Sequence, residues 1–120
     1  MTYHYLASPY SSDNPDTRER RLDAAFDALA FLIKHKFWAY SPIVHCHEIA
    51  IRNGLPSSYH FWQQYNHAMM LSSKSLFVLT IDGWDESLGV ADEIAFARRI
   101  NLTTKFLHPL NNTYVIKKVE

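Results

Sequence analysis

The run SLFVLTI, Ser75 to Ile81, is apolar along nearly its whole length and too short for a buried helix. A strand with one wet face alternates polar and apolar residues. This one is therefore covered on both faces, as a central parallel strand is. Such a sheet needs helices between its strands, and the chain supplies them. YHYLAS, Tyr3 to Ser8, reads as an inner strand feeding the loop SPYSSDNP. Asn14 before Pro15 is a helix start, a capping side chain followed by proline at the first helical position. Leu22, Ala25, Phe26, Leu29 and Ile33 then recur at helical spacing, opposite Arg18, Arg21 and Lys34.

FWAYS, Phe37 to Ser41, is the second strand, stopped by Pro42, and SPIVHCHE after it reads as a loop. Ser58 caps a further helix with Trp62, Tyr65 and Met69 on one face. Beyond the central strand come a helix from about Leu88 to Ile100, then TKFLHP as a fourth strand and TYVIKK as a fifth or edge strand. The expectation is a small three-layer α/β sandwich, flavodoxin- or Rossmann-like, with a mainly parallel sheet of four to five strands, in one domain over residues 1–120.

Twelve basic residues balance twelve acidic ones. Binders of nucleic acid polymers carry a basic excess, so the balance speaks against such a partner and leaves a single small nucleotide open. Cys46 is the one cysteine, which rules out a disulfide within the chain. MTYHYLASPYSS has no basic patch ahead of a long apolar run, and no stretch approaches the roughly 18 apolar residues of a membrane span. The expectation is a cytoplasmic protein without a membrane partner.

The three glycines, Gly54, Gly83 and Gly89, spell neither GxGxxG nor a Walker loop. No cofactor is expected. Ligands of open α/β sheets bind outside the carboxyl ends of the strands, where SPYSSDNP, SPIVHCHE and DGWDESLGV meet. The helix after the central strand carries Glu93 at that rim. With Ser87 as its cap, Glu93 lies about 9 Å along the axis. Helical side chains lean back toward the N-terminus, so its carboxylate is aimed at the rim. Gly89 is one turn below and leaves space for a ligand; its alternative reading is close packing of helix on strand. A carboxylate facing such a pocket can attack an electron-poor carbon, as in retaining glycosidases. The alternative is that Glu93 pairs with Arg98 or Arg99 or faces solvent.

His45, Cys46, His47 and Glu48, with His60 and His67, have the chemistry of zinc ligands but not a known ligand spacing, and no metal is expected. Trp84 either stacks on a heterocycle or closes the rim of the core. Phe61, Trp62, Tyr65, Met69 and Met70 read as core or subunit interface. Arg18, Arg20 and Arg21 read as a solvated face, or as one arginine reaching a phosphate.

YLASPYSS, SPIVHCH and GWDESLGVADE together resemble the nucleoside 2-deoxyribosyltransferase-like superfamily, over residues 3 to about 107. The most specific part is Ser87-Leu88-Gly89-Val90 followed by Glu93, which is similar to the stretch around the catalytic glutamate of nucleoside-monophosphate N-glycosidases. The resemblance implies that Glu93 attacks the anomeric carbon of a nucleoside or nucleoside 5′-monophosphate and forms a glycosyl ester, which water or a second base resolves. It implies that Tyr5 orients the glutamate and that Ser87 contacts the 5′ end of the sugar. It also implies a homodimer or larger homo-oligomer that completes each pocket with a neighbour's residue. Two positions depart from the pattern. Asn66 stands where the superfamily has an aspartate, so an acid would come from His67, Asp85 or a neighbouring chain. Pro9 and Ser11 stand where phosphate-binding members show serine and arginine. An impaired enzyme that only binds nucleotides is the alternative function.

Overall fold

The computed structural model describes residues 2–118. In chain order the elements are β1 (His4–Ala7), α1 (Pro15–Lys34), β2 (Ala39–Tyr40), α2 (Pro42–Asn53), α3 (Tyr59–Leu71), β3 (Ser75–Leu79), a 3-10 turn (Trp84–Glu86), α4 (Leu88–Arg99), β4 (Thr104–Leu110) and β5 (Thr113–Lys118). The sheet runs β2-β1-β3-β4-β5. All its pairs are parallel except β4 with β5. Asn111 and Asn112, both at positive φ, make the two-residue turn of that last hairpin. The fold is the expected mainly parallel α/β sandwich.

Two apolar layers follow from the alternation of side chains along the strands. Leu6, Phe77, Leu79 and Leu107 meet Ala28 and Leu32 of α1 on one face. Tyr5, Ala7, Leu76 and Val78 meet Met70 of α3 and Val90 and Ala97 of α4 on the other. β3 is buried along its whole length, as its unbroken apolar run requires.

Three local expectations need correction. First, Pro42–Asn53 is a helix, not a loop: Ser41 Oγ accepts from Val44 N at 3.2 Å, proline follows the cap, and Gly54 ends the helix in the left-handed region at φ 62°. Secondly, the buried row of α1 is Leu22, Ala25, Ala28 and Leu32, while Phe26 and Ile33 are 52% and 45% exposed. Each of those two follows a buried residue by one position, about 100° around the helix, and the alanines let α1 approach the sheet closely. Thirdly, α3 buries Asn66 and Met70 rather than the Trp62, Tyr65 and Met69 row. Ser58 sits at its N-cap without making a side-chain cap bond. The Asn14 cap of α1 is as expected, accepting from Asp16 N at 2.8 Å.

At the amino ends of the strands, His4 Nδ1 lies 2.5 Å from Ser75 Oγ, with the ring edge-on to Phe37 and Phe77. Burial, helped by the charges of Lys74 and Lys105, pushes its pKa down to about 4. The folded chain therefore binds fewer protons than the unfolded one between about 6.5 and 4, so stability falls as pH falls through that window. In melting curves taken across it, His4→Asn should lose less stability on acidification than the wild type. Parallel curves would show that His4 is not responsible.

Candidate active site

The strand order reverses between β1 and β3, and a cavity of about 760 Å³ opens at their carboxyl ends. That is the size of a small-molecule pocket, at the place where such sheets bind ligands. Its walls are the loop after β1, α2, the first half of α3, and the start of α4. Among the described residues no lysine or arginine lines it. Arg18 and Arg21 instead donate to the backbone carbonyls of Ser12 and Ser11, holding the first loop in place.

Glu93 lines this cavity and is 3% exposed. Ser87 does cap α4, accepting from Val90 N at 3.2 Å, so the carboxylate sits where the capped helix puts it. Tyr5 is fully buried in β1 and donates its hydroxyl to Glu93 Oε2 at 2.5 Å. The pair bridges sheet and helix. Neither Arg98 nor Arg99 pairs with Glu93 among the described residues. Burial raises the Glu93 pKa, the Tyr5 bond opposes this and the nearby charge of Asp92 adds to it; the result is pushed up to about 8.

Among the described residues, two buried side-chain atoms, Ser8 Oγ and Asn66 Oδ1, have no hydrogen-bond partner, and both residues line the cavity. Buried polar groups are nearly always satisfied, so two orphans on a cavity wall leave hydrogen-bonding capacity free toward that space. Asn66 comes from α3, Ser8 from the loop just past β1 and Glu93 from α4, so three separate segments present polar groups to one space.

Gly89 lines the cavity too, but the space beside it is not empty. A Cβ there would stand 2.9 Å from Cδ1 of Tyr59. The glycine admits a ring from α3, which corrects both the open-space reading and the helix-on-strand reading. Ser11 and Ser87 line the cavity; Pro9 is buried behind it and Trp84 lies outside it, packed 5.3 Å from the Phe106 ring. Trp84 closes the edge of the core. Of the suggested substitute acids, Asp85 is exposed and does not line the cavity. His67 also lies outside the lining, stacked on Phe96 at 3.8 Å.

The residue missed from the sequence is Asp92. It accepts from Tyr59 Oη at 2.6 Å and Gln63 Nε2 at 2.9 Å, and its other contact is His67 Nε2 at 2.7 Å. Residues 59, 63 and 67 are spaced by one helical turn, and that spacing is the signal that could have revealed a polar stripe on α3. Burial works against the charge of Asp92, but its hydrogen bonds with Tyr59, His67 and Gln63 prevail and hold the carboxyl below the usual range. The HCHE histidines diverge: His45 is exposed against Tyr40, while His47 Nδ1 is 2.8 Å from Tyr10 Oη. Among the described residues no three of His, Cys, Asp and Glu are grouped so as to hold a metal ion, and no helix is long and apolar enough to cross a membrane.

Residues 2–106 match the model of a family described as a domain of unknown function (DUF1937). No curated protein matches the chain. Asp92→Ala leaves three donors on α3 without their acceptor. It should lower stability by about 1–3 kcal/mol in chemical denaturation; an unchanged midpoint would mean that water replaces the carboxylate at no cost.

Proposed function

Since the chain belongs to the DUF1937 family, whose description names no activity, we propose from the site and the sequence resemblance that it cleaves the N-glycosidic bond of a nucleoside or nucleoside 5′-monophosphate. The observation that carries this reading is a buried carboxylate, Glu93, held by Tyr5 and facing a cavity in which Ser8 and Asn66 lack partners. Tyr5 occupies one lone pair of Oε2, leaving acceptor capacity on both carboxylate oxygens. Glu93 attacks C1′ of the sugar, the C1′–N bond breaks, and its electron pair leaves with the base, which takes up a proton. The glycosyl ester is then opened at C1′ by water in a hydrolase or by a second base in a transferase. Sugar hydroxyls suit Ser8 and Asn66, which can accept from them. The step needs no cofactor.

A second reading, a nucleotide-binding module without turnover, has one observation in its favour. Asn66 is an amide, which can bond a hydroxyl but cannot act as a carboxylic acid does. Calorimetry that finds tight nucleotide binding and no base released over long incubation would select it.

The resemblance also implies a homo-oligomer. Phe61 and Tyr65, 49% and 40% exposed on α3, supply an apolar surface for it. Light scattering should give at least the mass of a dimer; a monomer at all concentrations would remove this part.

The central test is Glu93→Gln assayed against ribo- and deoxyribonucleosides and their monophosphates. Base release should vanish while the wild type forms a glycosyl adduct on Glu93 visible by mass spectrometry. Since the nucleophile is the ionised form, the limb of the kcat/KM profile that Glu93 sets should rise with pH up to about 8. Stability runs the other way. A carboxyl raised in the fold stabilises fully below its unfolded pKa and loses that contribution as pH rises through about 8. Glu93→Gln should therefore melt above the wild type at alkaline pH. Base release that survives the substitution would refute the assignment.

A further inference from the structure

Resting on the proposed bond cleavage, we propose that His47, held by Tyr10, is the catalytic residue that protonates the departing base. The electron pair of the broken C1′–N bond goes to a ring nitrogen, and a proton must meet it there. Few groups on the cavity wall can give one. Glu93 is committed to the sugar. Asp92 is engaged by Tyr59, Gln63 and His67, and Tyr59 spends its hydroxyl proton on Asp92. Glu86 and His60 are exposed at the rim. Cys46 is buried, with its thiol pushed up by burial.

His47 differs from all of these. It lines the cavity from α2, half-buried, so acid and nucleophile come from different walls. Its Nδ1 is tied to Tyr10 Oη at 2.8 Å, and its other ring nitrogen has no partner among the described residues. Tyr10 comes from the first loop, which Arg18 and Arg21 hold by its carbonyls, so the ring is anchored from outside its own helix. Imidazole is the side chain that gives and takes a proton near neutrality, and the hydrogen bond on one nitrogen directs the proton transfer to the other.

The protons balance over the cycle. The imidazolium keeps Nδ1–H on the Tyr10 oxygen and gives the Nε2 proton to the base as the C–N bond breaks. The neutral ring then takes a proton at Nε2 from the water that attacks C1′. Glu93 departs as carboxylate and the imidazolium is restored. Nucleoside and water become free sugar and protonated base, with no other reactant.

The test compares two leaving groups on one sugar. A natural base needs the proton, whereas 4-nitrophenolate leaves without it. His47→Asn keeps an atom near the position of Nδ1 for Tyr10 and deletes Nε2. It should slow release of the natural base on the order of a hundredfold and spare the 4-nitrophenyl glycoside to within about threefold. Tyr10→Phe, which frees the ring without removing it, should show a smaller loss with the same leaving-group preference. Equal losses on both substrates, or none on either, would overturn the assignment of His47 while leaving the proposed cleavage standing. No base released by the wild type from any nucleoside or monophosphate would overturn the cleavage itself and this assignment with it.

Discussion

The hydrogen bond from Tyr5 to Glu93 is the constraint around which the site is arranged. A carboxyl group removed from water resists ionisation unless something compensates it, and here one phenol does so. That phenol is fully buried on an inner strand, with β2 on one side of it and β3 on the other. The bond therefore joins an inner strand of the sheet to the first turns of α4. Apolar layers on both faces of the sheet stabilise the fold that carries it, and the residual strain of a half-compensated carboxyl appears as its raised pKa.

Around that bond the packing becomes polar. α3 turns Asn66 inward beside Met70, and sends Tyr59, Gln63 and His67 toward Asp92. Two adjacent acids on α4 thus have different surroundings. Asp92 is saturated with hydrogen-bonding partners and stays charged; Glu93 has one donor and holds its proton longer. Carboxyl groups pushed apart in this way can take different roles. Both line the cavity, but Asp92 also fastens α3 to α4, while Glu93 is held only by Tyr5.

Much of this is legible in the sequence. Asn14–Pro15 and Ser87 announce helix starts through local hydrogen bonds that involve only neighbours in the chain. The unbroken run of β3 announces burial on both faces. Ser41–Pro42 with Gly54 carries the same kind of signal as Asn14–Pro15, yet α2 reads as a loop when HCHE is weighed only as chemistry. The buried face of α1 is not legible for a different reason. Several apolar rows were available, and the sheet chose the one whose alanines permit close approach. At Gly89 the neighbour is a ring from a helix some thirty residues earlier, which helix periodicity in α4 cannot foresee.

Sequence alone determined the α/β class, the cap that sets the start of α4, and the position of Glu93 along that helix, because each depends on local chemistry or on the period of the apolar pattern. Tertiary structure alone decided that Tyr5 meets Glu93 and that Asp92 gathers three partners from α3. It also left Ser8 and Asn66 facing one cavity without partners. Those relations join residues distant in the chain. They arise only when the strand order brings β1 beside β3 and sets α3 against α4, a choice made by the packing of the whole sheet.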